Sequence, residues 1–155
     1  MKKKIIVIGG GFAGIQFVKK IDEKLFDVLL IDKINHHQFQ PLFYQVATSQ
    51  LEPASISFPL RNIFKYKKYV QIRLTEVLSI NAAQNCIETA LGIFEYDYLV
   101  IAIGCKTNFF GNDKMEHLTF GMKNTQEAIA IRNHVLLTFE KLIIERKRSD
   151  DGNWN

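Results

Sequence analysis

Cysteine is scarce in these 155 residues, with only Cys86 and Cys105 present. They lie far apart and form no C-x-x-C, so neither a disulfide framework nor a zinc site is indicated. No apolar run is long enough to span a bilayer. The basic start Met1-Lys2-Lys3-Lys4 is followed by an apolar run too short for a signal peptide, so the expected setting is cytoplasmic. No segment is low in complexity. No Ser/His/Asp spacing and no pair of carboxylates points to protein-borne acid–base or nucleophilic catalysis. The adjacent His36 and His37 have no acidic or cysteine ligand at metal spacing; in an extended stretch they point in opposite directions, which favours a structural or hydrogen-bonding role. The net charge of +4 comes mainly from Lys2–Lys4, Lys65-Tyr66-Lys67-Lys68 and Arg146-Lys147-Arg148. These clusters read as solvated element ends rather than a nucleic-acid surface, and weak attraction to an anionic membrane also fits.

What is present begins at residue 5. The run Ile5-Ile6-Val7-Ile8 reads as a strand buried on both faces. It stops at Gly9-Gly10-Gly11-Phe12-Ala13-Gly14, where Gly9, Gly11 and Gly14 fall at G-x-G-x-x-G spacing. Gly9 lets the chain turn out of the strand, Gly11 lets a pyrophosphate approach the backbone, and Gly14 lets the following helix lie against the sheet. The apolar spacing of Phe17, Val18, Ile21 and Leu25 predicts a helix over about 12–24, whose positive end would face the anion. Asp27-Val28-Leu29-Leu30-Ile31-Asp32 is the next strand, and the three elements together have the size of one βαβ unit. Asp32 has two readings. It turns the chain leaving the strand, or it accepts hydrogen bonds from the ribose hydroxyls of a dinucleotide. Behind an intact glycine fingerprint the second is favoured, and an acid there repels a 2′-phosphate.

Residues 33–59 are rich in His, Gln, Asn, Ser and Pro and read as a long irregular connection of functional character, with a short helix over 42–51. Ser57 to Phe64 reads as a short helix with Pro59 near its start. Tyr69 to Leu74 alternates as a strand. Runs at 76–80, 86–89 and 93–96 form a small antiparallel meander. Tyr98 to Gly104 is a second buried strand, and Cys105 to Lys123 is loop-like. Asn124 caps a last helix with Glu127 three residues on, and its apolar stripe is Ala128, Ile131, Val135, Leu136, Phe139, Leu142 and Ile143. Ser149 to Asn155 reads as a polar tail.

Several of these segments together carry a resemblance. The glycine fingerprint with Asp32, the Gln40-Pro41-Leu42-Phe43-Tyr44-Gln45-Val46-Ala47 loop, the Leu51-Glu52-Pro53 turn, and Tyr98 to Gly104 followed by Thr107-Asn108-Phe109-Phe110-Gly111 resemble the type II NADH dehydrogenases. These are FAD-dependent NADH:quinone oxidoreductases of the two-dinucleotide-binding flavoprotein superfamily. The resemblance implies an α/β fold: a Rossmann-like FAD-binding domain of parallel sheet and helices with a small antiparallel β-meander. It implies FAD as cofactor, its pyrophosphate on Gly9, Gly11 and Gly14 with close backbone contact at Phe12 and Ala13. Asp32, with Lys33 beside it, would take the adenosine ribose, and the backbone of Val77 the adenine. Gln40, Pro41 and Leu42 would run by the flavin. Ala102, Ile103 and Gly104 stand where relatives usually have Ala-Thr-Gly, so Ile103 lacks a hydroxyl. Cys105 reads as a bystander. NADH and a quinone are the substrates that the resemblance implies, with no catalytic side chain and no nucleic-acid partner; a homodimer stays open. Residues 1–155 would be the N-terminal part of the FAD domain, without the NADH domain and the C-terminal segment that holds the intact enzyme peripherally on the cytoplasmic face of the membrane. Two alternatives stay open: an NAD-dependent Rossmann dehydrogenase, and a non-catalytic nucleotide-binding module.

Overall fold

The computed structural model describes residues 2–151, with side chains as far as Lys147. In chain order the elements are β1 (Lys3–Ile8), α1 (Phe12–Lys20), β2 (Phe26–Asp32), β3 (His36–Gln38), α2 (Phe43–Ala47), β4 (Ser57–Pro59), α3 (Leu60–Ile63) and β5 (Val70–Leu74). There follow β6 (Val77–Asn81), β7 (Cys86–Thr89), β8 (Gly92–Glu95), β9 (Tyr98–Ile101), α4 (Asp113–Leu118) and α5 (Thr125–Asp151). The chain divides into two compact units, residues 1–38 with 57–105 and residues 39–56 with 106–155.

The first unit is built on a four-stranded parallel sheet of order β5-β2-β1-β9. Its registers place Ile5 beside Val28 and Tyr98, and Ile8 beside Ile31 and Ile101. Central β1 explains its own composition. Ile5 and Val7 point to one face, where they meet Ile15 and Val18 of α1, Leu60 of α3, and Phe64. Ile6 and Ile8 point to the other face, against Ile31 and Ile87, with Phe94 and Tyr96 packed alongside. Helices therefore cover one side and the antiparallel β6-β7-β8 meander the other, so every residue of this stretch must be apolar. Each such side chain is worth about 1.5–3 kcal/mol on burial.

Four local expectations are corrected here. Helix α1 ends at Lys20 rather than near Lys24, because the Asp22 carboxylate accepts from Lys24 N–H (2.9 Å) and the Asp22 carbonyl from Leu25 and Phe26 N–H, which sets a turn. The stretch 33–59 is not wholly irregular: β3 and β4 pair antiparallel, with His37 opposite Phe58. Residues 57–59 are thereby taken into a strand, and only Leu60–Ile63 is helical. Strand β9 ends at Ile101, although Ala102 N–H still donates to the Ile8 carbonyl (2.8 Å) before the chain leaves through Gly104 at φ +70°.

The second unit centres on α2 packed against the start of α5. Phe43, Val46, Ala47 and Ile56 bury around Ala128, with Ile129 and Ile131 beside them. The expected helix over 42–51 is the 3-10 turn Gln40–Leu42 followed by the five residues of α2. Asn124 accepts from Glu127 N–H (2.9 Å) as the capping pattern predicts, but the Glu127 carboxylate reaches one residue past the cap and accepts from Lys123 N–H (2.5 Å) rather than from Asn124 N–H. The stripe on α5 is only partly used. Val135, Leu136, Phe139, Leu142 and Ile143 are exposed, because α2 is too short to reach beyond the first turns. The segment read as a loop holds α4, capped by Asn112, whose side chain accepts from Met115 N–H (3.0 Å). Helix α5 continues to Asp151, into what the sequence suggested was tail; the remainder of that tail lies outside the described residues.

Candidate functional site

The site lies at the carboxyl end of β1. In the order β5-β2-β1-β9 the chain runs outward from β1 through β2 to β5, then returns to β9 on the opposite side of β1. The β1/β9 boundary is therefore the switch point, where open α/β sheets leave a ligand crevice.

The three fingerprint glycines meet different surroundings. Gly9 has φ +107°, and a Cβ there would come within 2.8 Å of the Ala102 carbonyl carbon. A Cβ on Gly14 would overlap the Gly9 carbonyl oxygen. Both are required by the packing of turn, strand and helix. At Gly11 a Cβ would meet no protein atom within 4 Å. Gly11 is exposed, caps α1 in an extended conformation, and its carbonyl takes the first helical bond from Ile15 N–H (3.0 Å). The first-turn amides at Phe12 and Ala13 precede that bond, and both residues are exposed. A glycine open on its Cβ side, at the positive end of a nine-residue helix, fits an anionic pyrophosphate.

Asp32 closes β2, the strand beside β1. Its Oδ2 accepts from Gly10 N–H (2.5 Å) and its Oδ1 from Ile34 N–H (2.9 Å). Both readings of this residue therefore meet in one side chain. It turns the chain leaving β2, and it is oriented beside the glycine loop with acceptor capacity left on each oxygen. Lys33 is exposed and pairs with Glu76. Val77 begins β6 half-buried, packed on the core of Ile6, Ile8, Ile31 and Ile87. Ala102 is half-buried behind Gly9, whereas the Ile103 side chain is 70% exposed. Gly9 to Gly14, Asp32, Lys33, Val77 and Ala102 to Gly104 thus all belong to the first unit. Gln40, Pro41 and Leu42 belong to the second, where the Gln40 side-chain amide donates to the Lys123 carbonyl (3.3 Å).

Sequence spacing did not place two contributors at the site, although it gave His37 the hydrogen-bonding role that the structure shows. Gly10 is buried, and a Cβ on it would press Leu60 Cδ1 at 2.8 Å and Asp32 Oδ2 at 3.1 Å. The run of three glycines was its only signal. His37 sits with Nδ1 3.3 Å from the Gly10 carbonyl, its ring edge-on to Phe12 at 4.6 Å between centroids. His36, the next residue along β3, instead meets the Gln38 amide nitrogen at 3.3 Å, so the two histidines do face apart.

With this geometry in hand, the similarities are specific. A family profile described as pyridine nucleotide-disulphide oxidoreductase matches residues 3–144. The chain is 34% identical over 154 residues to the type II NADH:quinone oxidoreductase Ndh of Mycobacterium tuberculosis, covering 97% of this chain and 32% of that protein. It is 28% identical over 153 residues to the type II NADH:quinone oxidoreductase of Staphylococcus haemolyticus, covering 96% and 38%. The solved structure of NDH2 from Plasmodium falciparum in complex with NADH superposes with a TM-score of 0.82 at 29% identity, over 92% of this chain and 30% of that one. The chain thus spans about a third of the length of these relatives. Among the described residues, no helix is long and apolar enough to cross a membrane.

Proposed function

The chain belongs to the pyridine nucleotide-disulphide oxidoreductase family, and on that premise we propose that it is the FAD-holding part of an NADH:quinone oxidoreductase. That reaction oxidises NADH and reduces a quinone. The observation that carries the reading is the cradle itself: Gly11 open at the start of α1, with the Asp32 carboxylate fixed one strand away. The relatives' names supply the choice of substrates. When bound, FAD supplies the hydride acceptor and two-electron carrier that the side chains of this chain do not offer.

The protein's part is to bind and orient. Amides at the start of α1 hold the pyrophosphate. Asp32 accepts from the ribose hydroxyls while remaining tied to Gly10 N–H. The Val77 backbone takes the adenine and Ala102 to Gly104 border the crevice; Gln40, Pro41 and Leu42, in the 3-10 turn of the second unit, are the residues assigned to the flavin. Lys33, next to Asp32, is paired with Glu76. In the intact enzyme, delivery of electrons to a quinone dissolved in lipid favours peripheral attachment at the cytoplasmic face of the membrane, in a monomer or a homodimer.

Calorimetric titration of the purified chain with FAD and NAD side by side tests the reading. Uptake of FAD with a yellow protein–flavin complex, and much weaker binding of NAD, is expected. Preference for NAD, or no uptake of either, refutes it. These 155 residues contain one glycine fingerprint where the reaction uses two dinucleotides. The chain on its own is therefore expected to show little NADH oxidation even when loaded with FAD.

A further inference from the structure

Gly9-Gly10-Gly11 is the part of the backbone with the least conformational preference of its own. A cradle made of amide groups needs those amides aimed, and three successive glycines do not aim them. Two side chains do so instead. The Gly9–Gly10 peptide is held through Gly10 N–H by Asp32 Oδ2 at 2.5 Å. The Gly10–Gly11 peptide is held through the Gly10 carbonyl, which lies 3.3 Å from His37 Nδ1. His37 is itself fixed: it is 9% exposed, lies in β3 opposite Phe58, and sets its ring edge-on to Phe12. The same β3–β4 ribbon leads directly into Leu60, whose side chain backs Gly10.

We infer that His37 is a positioning residue for the nucleotide cradle, acting through the Gly10–Gly11 peptide. A carbonyl can only accept, so Nδ1 carries the proton and donates. In a trans peptide the C=O and N–H point in opposite directions. Holding the Gly10 carbonyl toward His37 therefore turns Gly11 N–H away from it, to the open side of the loop where the pyrophosphate is proposed to lie. The inference rests on that reading of the site and extends it to a residue 27 positions beyond the glycine it controls.

The test compares wild type, His37→Phe and His37→Asn in titrations with FAD and with ADP, each variant also followed by a thermal melt. Phenylalanine keeps the ring and its packing on Phe12 but removes the donor. Asparagine restores a donor near the Nδ1 position. His37→Phe is expected to weaken both ligands by about 2- to 12-fold, the worth of one neutral hydrogen bond, with His37→Asn back within about 2-fold of wild type. Adenosine, which lacks the pyrophosphate, is expected to bind wild type and His37→Phe equally. An independent measurement on the wild type alone is the imidazole nitrogen spectrum, which should show the proton on Nδ1. Wild-type affinity in His37→Phe, no recovery in His37→Asn, equal losses for adenosine, or an Nε2–H tautomer would each overturn the inference. Failure of wild type to bind FAD or ADP would instead overturn the proposed function and this inference with it.

Discussion

Replacing Gly11 by valine separates ligand chemistry from folding at one atom. The backbone at Gly11 has φ −76° and ψ −169°, an extended conformation that a β-branched residue adopts readily. The added side chain would meet no protein atom at its Cβ, and the position is exposed. Stability should therefore change by no more than about 1 kcal/mol, or about 2–4 °C in melting temperature for a chain of this size. Binding is another matter. Valine fills the space through which an anion must approach the amides that open α1. Loss of two charge-assisted hydrogen bonds, at about 1.5–3 kcal/mol each, gives a total near 3–6 kcal/mol. That corresponds to a roughly hundred- to ten-thousand-fold rise in the dissociation constant for FAD. Calorimetric titration and a thermal melt on the same preparation measure both halves. Gly11→Val binding FAD as well as wild type would refute the assignment of this face to the pyrophosphate. A large loss of melting temperature would refute the claim that the face is open.

Gly14→Ala should show the reverse pattern, because its Cβ overlaps the Gly9 carbonyl oxygen; a loss of about 1–3 kcal/mol is expected, read as a lower melting temperature without added FAD. Leu60→Ala removes a fully buried side chain that backs Gly10, and should lower stability by about 2–5 kcal/mol in a denaturant titration. Asp97→Asn tests the other end of β1. There the Lys4 N–H bond (2.7 Å) first, and then the Lys3 ammonium (2.9 Å), hold the Asp97 carboxyl below its ordinary value of 3.8. A lowered carboxyl contributes stability that is full above its ordinary value and is lost as pH falls through the folded value. The melting temperatures of wild type and Asp97→Asn should therefore differ at pH 6, begin to approach each other only below pH 3.8, and converge once the pH is below the lowered folded value; a gap that never narrows in acid would show that the carboxylate charge is not responsible.

The parallel core and the meander were legible because their signals are local, except that β9, read as buried, is half-buried at Leu99 and Val100 and exposed at Tyr98 and Ile101 as the edge strand of its sheet. Ile5 to Ile8 and Val28 to Ile31 need no information beyond their own apolarity to be placed in buried strands. The same holds for Asn124 and Glu127, whose roles lie within one helical turn. What escaped was set by distant partners or by competing short-range bonds. Residues 57–59 carry Pro59, which suits a helix start, yet pairing with His36–Gln38 draws them into a strand. The Asp22 turn ends α1 against its apolar period. The stripe on α5 is periodic along its length, but periodicity does not reveal that α2 supplies a partner only for its first turns. In the site, the glycine spacing marked Gly9, Gly11 and Gly14 as special. It could not distinguish the two that the packing excludes from any other residue and the one that leaves room beside it.

That distinction bears on how much the departure at Ile103 matters. The contacts that define this cradle are made by backbone: the start of α1, the Gly10 peptide, and the Ala102 carbonyl behind Gly9. Their positions follow from topology, since β1 lies between β2 and β9 and the chain turns at the switch point between them. Ile103 follows the end of β9 with its side chain mostly in solvent. A missing hydroxyl there leaves the backbone donors and acceptors unchanged. Asp32 and His37 both contact the Gly10 peptides, and on the proposed reading His37 acts only by fixing a peptide while Asp32 also meets the ribose. A site of this kind tolerates change wherever a side chain only faces the ligand. It resists change wherever a side chain aims the main chain.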